Sequence, residues 1–208
     1  MLAEVRAYPV LWTVLISALI CFPFALPLAE GELSGVASWL LIVDVQAGGD
    51  VNLARLAADL EPWRWMGPVF LHFSLQHLLF NVALAVFLGR IIETGLGGFG
   101  MLLLIVVLAV SSNVAQLVWQ STPFFGGLSG VVYGFAGFLI VMSSLRSADF
   151  RWQVHRGVLV MMVVLLVVMS TGITEFFGTH IANGAHWGGF LMGIVAGGAA
   201  HALLRHPR

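Results

Sequence analysis

The chain has 208 residues, of which 60% are hydrophobic and only 9% charged, and its net charge is -1. A soluble domain is about 45–50% apolar and about 25% charged, so a water-soluble core is excluded and an integral membrane protein is indicated. The charge balance offers no basic surface for nucleic acid, and the single cysteine, Cys21, excludes an internal disulfide and a cysteine-based metal site.

About 20 apolar residues cross a bilayer, and six segments of that kind are expected in one all-α, polytopic helix bundle covering residues 1–208 as a single domain. The first, near 8–28, has no small-residue cleavage site and reads as a retained span rather than a signal peptide. A long connection, 29–73, follows. It is too apolar for a disordered linker, and Trp63 and Trp65 beside Arg64 suit an anchor at the headgroup level. The second and third spans are expected near 74–93 and 97–119, the fourth near 128–144, the fifth near 157–173 and the sixth near 183–204. The third and fifth read as plain apolar runs, whereas the second, fourth and sixth are interrupted by polar residues. Arg90 and Glu93 read as caps on the inner end of the second span.

Basic residues concentrate on one side. Arg6, Arg90, Arg146, Arg151, Arg156, Arg205 and Arg208 fall at the termini and in the 2–3 and 4–5 connections, against Arg55 and Arg64 alone in the others. Arginine-rich ends stay in the cytoplasm, so both termini are expected there and the 29–73 connection outside.

The second, fourth and sixth spans then run in parallel from outside to inside. Each carries polar residues within about its first turn: His77, Ser129 and His186 share a depth at 1.5 Å rise per residue. Asn81 lies one turn below His77 on the same face. Small residues at four-residue spacing, Gly126, Gly130 and Gly134 in one span and Ala185, Gly189, Gly193 and Gly197 in another, allow close helix approach in lipid. Gly127 and Gly130 are expected to leave the approach to Ser129 uncrowded.

Acyl transfer is the chemistry such a set fits. A serine hydroxyl needs a base to take its proton, and His186 is the candidate. An oxyanion needs aimed donors. The Ser129 amide opens a helix and is available, and His77 and Asn81 offer side-chain N–H groups. Tyr133, one turn below Ser129, is placed to pack on the His186 ring. No carboxylate lies near, so the set is a Ser–His dyad without an orienting acid.

The segments GLSGVVYG (127–134), HFSLQHLLFN (72–81), ANGAHWGGF (182–190) and WRW (63–65) resemble the motifs of rhomboid intramembrane serine proteases, in matching order over about 60–197. The resemblance is to the bacterial six-span type without an N-terminal cytoplasmic domain. It implies Ser129 as nucleophile and His186 as general base. It implies His77, Asn81 and the Ser129 amide as an oxyanion hole, with Tyr133 supporting the His186 ring. It places Phe80, Phe177 and Ile181 at gate or cap positions. It implies single-span membrane proteins as substrates, cut near the outer boundary of the bacterial inner membrane, and no cofactor.

Two rival functions fit parts of the pattern. One is a metal-binding or transport protein built on His72, His77, His180 and His186. The five-residue step from His72 to His77 puts them on different helical faces, against the convergence a zinc site needs. The other is an inactive relative that binds membrane helices, which would be expected to lack the serine or the histidine. His72 reads as a structural hydrogen-bonding residue, and His155 and His201 as interfacial. The oligomeric state is left open.

Overall fold

Glycine and proline decide where the helices of this chain begin and break. A computed structural model describes residues 2–33, 35–173 and 181–204. Among them no strand occurs. Helix α1 (Leu2–Ala7) passes into α2 (Pro9–Ala29), where Pro9 at the first position has no N–H to lose and a φ already suited to a helix. Helix α5 (Leu75–Trp119) looks continuous at 45 residues, but Gly97 interrupts it with φ 73 and ψ 171. Only glycine adopts that backbone readily. The chain folds back there: Gly89 on the first arm packs near Met101 on the second and against Leu11 of α2. The two arms correspond to the second and third expected spans.

Helices α2 and α5 and the segment Phe150–Ser170 are each long and apolar enough to cross a membrane by length and composition, and Ser129–Leu145 is a shorter apolar helix. The protein is an integral membrane helix bundle. Helix α6 (Ser129–Leu145) is its axis, buried almost continuously from Gly130 to Leu139. Helix α7 (Arg156–Ser170) and α8 (Asn183–Leu203) complete the bundle.

Helices α6 and α8 run in parallel at backbone contact. A β-carbon at Gly189 would overlap the Gly130 carbonyl, and one at Gly193 the Gly134 carbonyl; at Gly197 it would lie 2.9 Å from the Phe138 carbonyl. Gly137 returns the contact against the Phe190 carbonyl. The four-residue step of small residues is therefore a helix–helix seam, as expected. Gly126 is outside it: it precedes α6 and packs on Leu71 and the Pro68 carbonyl.

The 29–73 connection is a structured cap. It contains α3 (Gly35–Leu40), α4 (Leu53–Ala58) and the 3₁₀ turns Pro62–Trp65 and Gly67–Phe70. Arg64 is only 2% exposed, so it is an internal strut rather than an outer surface charge. Its guanidinium donates to the Ser38 carbonyl at 2.7 Å and the Leu41 carbonyl at 3.1 Å and pairs with Glu61. The end of α3 and Glu61 are thereby tied to one cation, whose burial is tolerable because its Nε and Nη1 donors are hydrogen-bonded. Trp63 stacks on Trp39 at 5.5 Å, both exposed, whereas Trp65 turns inward toward the Leu56–Phe125 cluster. Only Trp63 of the expected anchor pair is thus on the surface.

At the other end, Glu93 and Arg90 do not cap their own helix. The buried Glu93 carboxylate accepts from the Val10 and Leu11 amides at 3.0 and 2.9 Å, capping the start of α2. Arg90 pairs with Glu4 at 2.7 Å and covers the Tyr8 ring. Local sequence reading assigned them to the nearest helix end, but the free amides of α2 lie closer in space. His201 is buried rather than interfacial.

The glycine seam gives a direct test. Gly193→Val places branched carbon where the Gly134 carbonyl sits, about two turns below His186. It is expected to lower unfolding stability in detergent by about 1–3 kcal/mol. An unchanged unfolding midpoint would contradict the close approach.

Candidate active site

The seam sets the register that matters. With Gly130 opposite Gly189, Ser129 lies one residue and His186 three residues before that contact, on facing sides. His186 Nε2 lies 2.8 Å from Ser129 Oγ. Ser129 is the first residue of α6, and its amide has no partner among the described residues. The His186 ring is 6% exposed and tilts over Tyr133 with ring centres 4.6 Å apart. His186 Nδ1 finds no protein acceptor among the described residues, so ring orientation rests on Tyr133 and on helix position. This arrangement can deprotonate a serine without a carboxylate.

His77 stands in the first turn of α5, whose start is capped by Ser74 accepting from the His77 amide at 3.2 Å. Its ring lies against Gly127, where a β-carbon would be 2.5 Å from Cε1. Gly127 has φ 113, a conformation L side chains avoid. Gly130 in turn faces Ser112 and the Ala185 carbonyl. These two glycines therefore seat the His77 ring and the helix seam. Sequence spacing gave no sign of those neighbours, which come from other helices. Asn81 is buried and donates to the His77 carbonyl at 3.0 Å, leaving one N–H of its amide. No bond joins Asn81 to Ser129 in the structure.

Phe80 is 64% exposed on the outer face of α5, beside a groove of about 450 Å³ lined by Leu75, Gln76, Leu79, Phe80 and Ala83. Ile181 is half-buried just before α8. Phe177 lies outside the described residues, as do His180 and Glu175. Among the described residues no three His, Cys, Asp or Glu side chains converge as metal ligands would.

Further groups hold the site: His72 is the structural hydrogen-bonding residue expected from the sequence, whereas the polar residues of the second α5 arm escaped sequence reading. His72 is fully buried; the Leu128 amide donates to its Nε2 at 3.3 Å, fixing its own proton on Nδ1, 3.4 Å from the Phe70 carbonyl. His72 thus clamps the residue before Ser129 and also packs on His77, ring centres 5.0 Å apart. The second arm of α5, read as plainly apolar, buries Ser112, Asn113 and Gln116. Gln116 Oε1 accepts from the Ala185 amide at 3.1 Å, a cap supplied from a neighbouring helix because Ala182 has no capping side chain. Asn113 donates to the Trp65 carbonyl at 2.9 Å, fastening the 29–73 cap. The stretch SSNVAQ (111–116) held the signal: Ser112 and Gln116 share one face at four-residue spacing.

The family model described as "Rhomboid domain" matches residues 59–202, more than half of the chain. The chain belongs to the rhomboid family. It is 31% identical over 188 residues to the rhomboid protease GlpG of Salmonella choleraesuis, the match covering 84% of this chain and 66% of that protein. It is 30% identical, with the same coverage, to the rhomboid protease GlpG of Salmonella typhi and to that of Salmonella newport. The chain thus matches just under two thirds of the length of these relatives. The rhomboid model region contains every site residue discussed above.

Two substitutions test the scaffold of the site. His72→Ala strands the Leu128 amide and Gln116→Leu the Ala185 amide, both buried. Each is expected to cost about 1–3 kcal/mol of unfolding stability in detergent. Wild-type stability in either variant would show that water or another group replaces the lost acceptor.

Proposed function

We propose that this rhomboid is an intramembrane serine endopeptidase using a Ser129–His186 dyad. The observation that carries the reading is the 2.8 Å contact between the two side chains at the mouth of α6. Ser129 Oγ attacks the scissile carbonyl as His186 Nε2 takes its proton. The developing oxyanion is met by the Ser129 amide, the His77 ring N–H and the remaining Asn81 N–H, donors already set in place before reaction. His186 then protonates the leaving amine, and water activated by the same ring hydrolyses the acyl-enzyme. Tyr133 supports the ring by stacking on it, and among the described residues no acidic residue orients Nδ1 as in a triad.

The substrate is a single-span membrane protein cut near the outer boundary. A peptide must unwind locally to reach a serine in a helix mouth, so glycine or proline near the cut favours cleavage. The exposed Phe80 groove on α5 supports an approach from the lipid side, with Phe80, Ile181 and Phe177 as gate or cap residues. The chain is one six-span domain over 1–208, with both termini in the cytoplasm of a bacterial inner membrane and the site facing outward. A cysteine at position 129 or 186 is accordingly expected to react with a water-soluble thiol reagent from the outer side alone; reaction only from the arginine-rich side would reverse the topology.

Reconstitution with a single-span reporter tests the activity. Wild type is expected to cut it, and Ser129→Ala and His186→Ala to abolish cutting while remaining folded. Asn81→Ala is expected to slow cutting by roughly 10²–10³, the loss seen when one oxyanion donor is removed. Cutting that survives Ser129→Ala would overturn the mechanism.

A further inference from the structure

A second cavity lies at the far end of α6 from Ser129, where α6 ends and α7 begins. This groove has a volume of about 390 Å³ and is lined by Ile140, Ser143, Ser147, Arg156, Leu159 and Val160, among others. Its chemistry changes with depth. Ile140, Leu159 and Val160, further inside both helices, make an apolar wall, and Val160 is 60% exposed. Ser143, Ser147 and Arg156, toward the helix ends, make a polar rim.

Charge is unbalanced at that rim. The stretch 146–156 carries Arg146, Arg151 and Arg156 against Asp149 alone. Asp149 is already shared, lying 2.9 Å from Arg151 and 3.8 Å from Arg146. The Arg151 hydrogen bond holds the Asp149 carboxyl below its usual range, so it stays an anion. Arg156 has no carboxylate partner among the described residues. It also opens α7, where the helix dipole adds positive potential.

We propose that this groove binds the headgroup of an anionic phospholipid. Arg156 meets the phosphate with help from the Ser143 and Ser147 hydroxyls, and an acyl chain lies along Ile140, Leu159 and Val160. An inorganic phosphate would leave that apolar wall bare, and a zwitterionic headgroup would bring its own cation to a rim already positive. Basic pockets between membrane helices recognise anionic headgroups in this way.

Thermal unfolding of the purified full chain in neutral detergent tests the site. The probes are dioleoylphosphatidylglycerol, dioleoylphosphatidylcholine and inorganic phosphate. Phosphatidylglycerol at about tenfold above half-saturation is expected to raise the unfolding midpoint by about 3–5 °C, and the other two to leave it unchanged. Arg156→Gln is expected to lose the shift. Arg151→Gln, the same charge change outside the groove, is expected to keep it. Ser147→Trp, which fills the groove at constant charge, is expected to lose it. The proposal is overturned if phosphatidylcholine matches phosphatidylglycerol, if phosphate alone gives the shift, if Arg151→Gln loses as much as Arg156→Gln, or if Ser147→Trp retains it.

Discussion

Backbone contact between α6 and α8 is the constraint on which the rest of this molecule depends. Lipid tails are as apolar as leucine, so burying hydrophobic surface does not by itself drive these helices together. Close packing has to, and glycine makes it possible: Gly189 and Gly193 rest on the carbonyls of Gly130 and Gly134. Such a seam has one register. Sliding it by a residue would drive β-carbons into carbonyl oxygens. Because the register is fixed, Ser129 and His186 meet at 2.8 Å within one turn of the Gly130–Gly189 contact, without any residue dedicated to bringing them together.

Backbone polar groups near the site are then satisfied from neighbouring elements. Membrane-buried amides without partners cost several kcal/mol each, so helix mouths at this depth need caps. Helix α8 begins at an alanine with no cap of its own and borrows Gln116. The turn into α6 borrows His72 through the Leu128 amide. The Ser129 amide is among the first amides of α6 that have no partner among the described residues. The 29–73 cap follows the same logic, with Arg64 gathering the Ser38 and Leu41 carbonyls and Asn113 fastening Trp65. At the opposite end of the bundle Glu93 satisfies two amides of α2.

What the sequence made legible was periodic or local. Helix positions followed from apolar run length, and the seam from glycines four residues apart. The shared depth of His77, Ser129 and His186 followed from counting residues from each helix start. Partners across the fold were not legible. Nothing in the order of residues places Gly127 under the His77 ring or the Glu93 carboxylate on the amides of α2, because both contacts join segments distant along the chain. Averaged hydropathy also hid Ser112, Asn113 and Gln116, since three polar residues on one face barely lower the mean of a 22-residue arm. Arg64 misled for a different reason: an arginine in a connection reads as a surface charge, and only the three-dimensional turn of the cap shows carbonyls converging on it.

The central claim is that the glycine seam makes Ser129 a reactive nucleophile through His186. Mass-spectrometric mapping of the adduct formed with a fluorophosphonate probe measures this most directly. The account predicts a single modified residue, Ser129, in wild type and no adduct in His186→Ala, with both proteins folded. An adduct at another serine, or one on Ser129 that persists undiminished without His186, would contradict it.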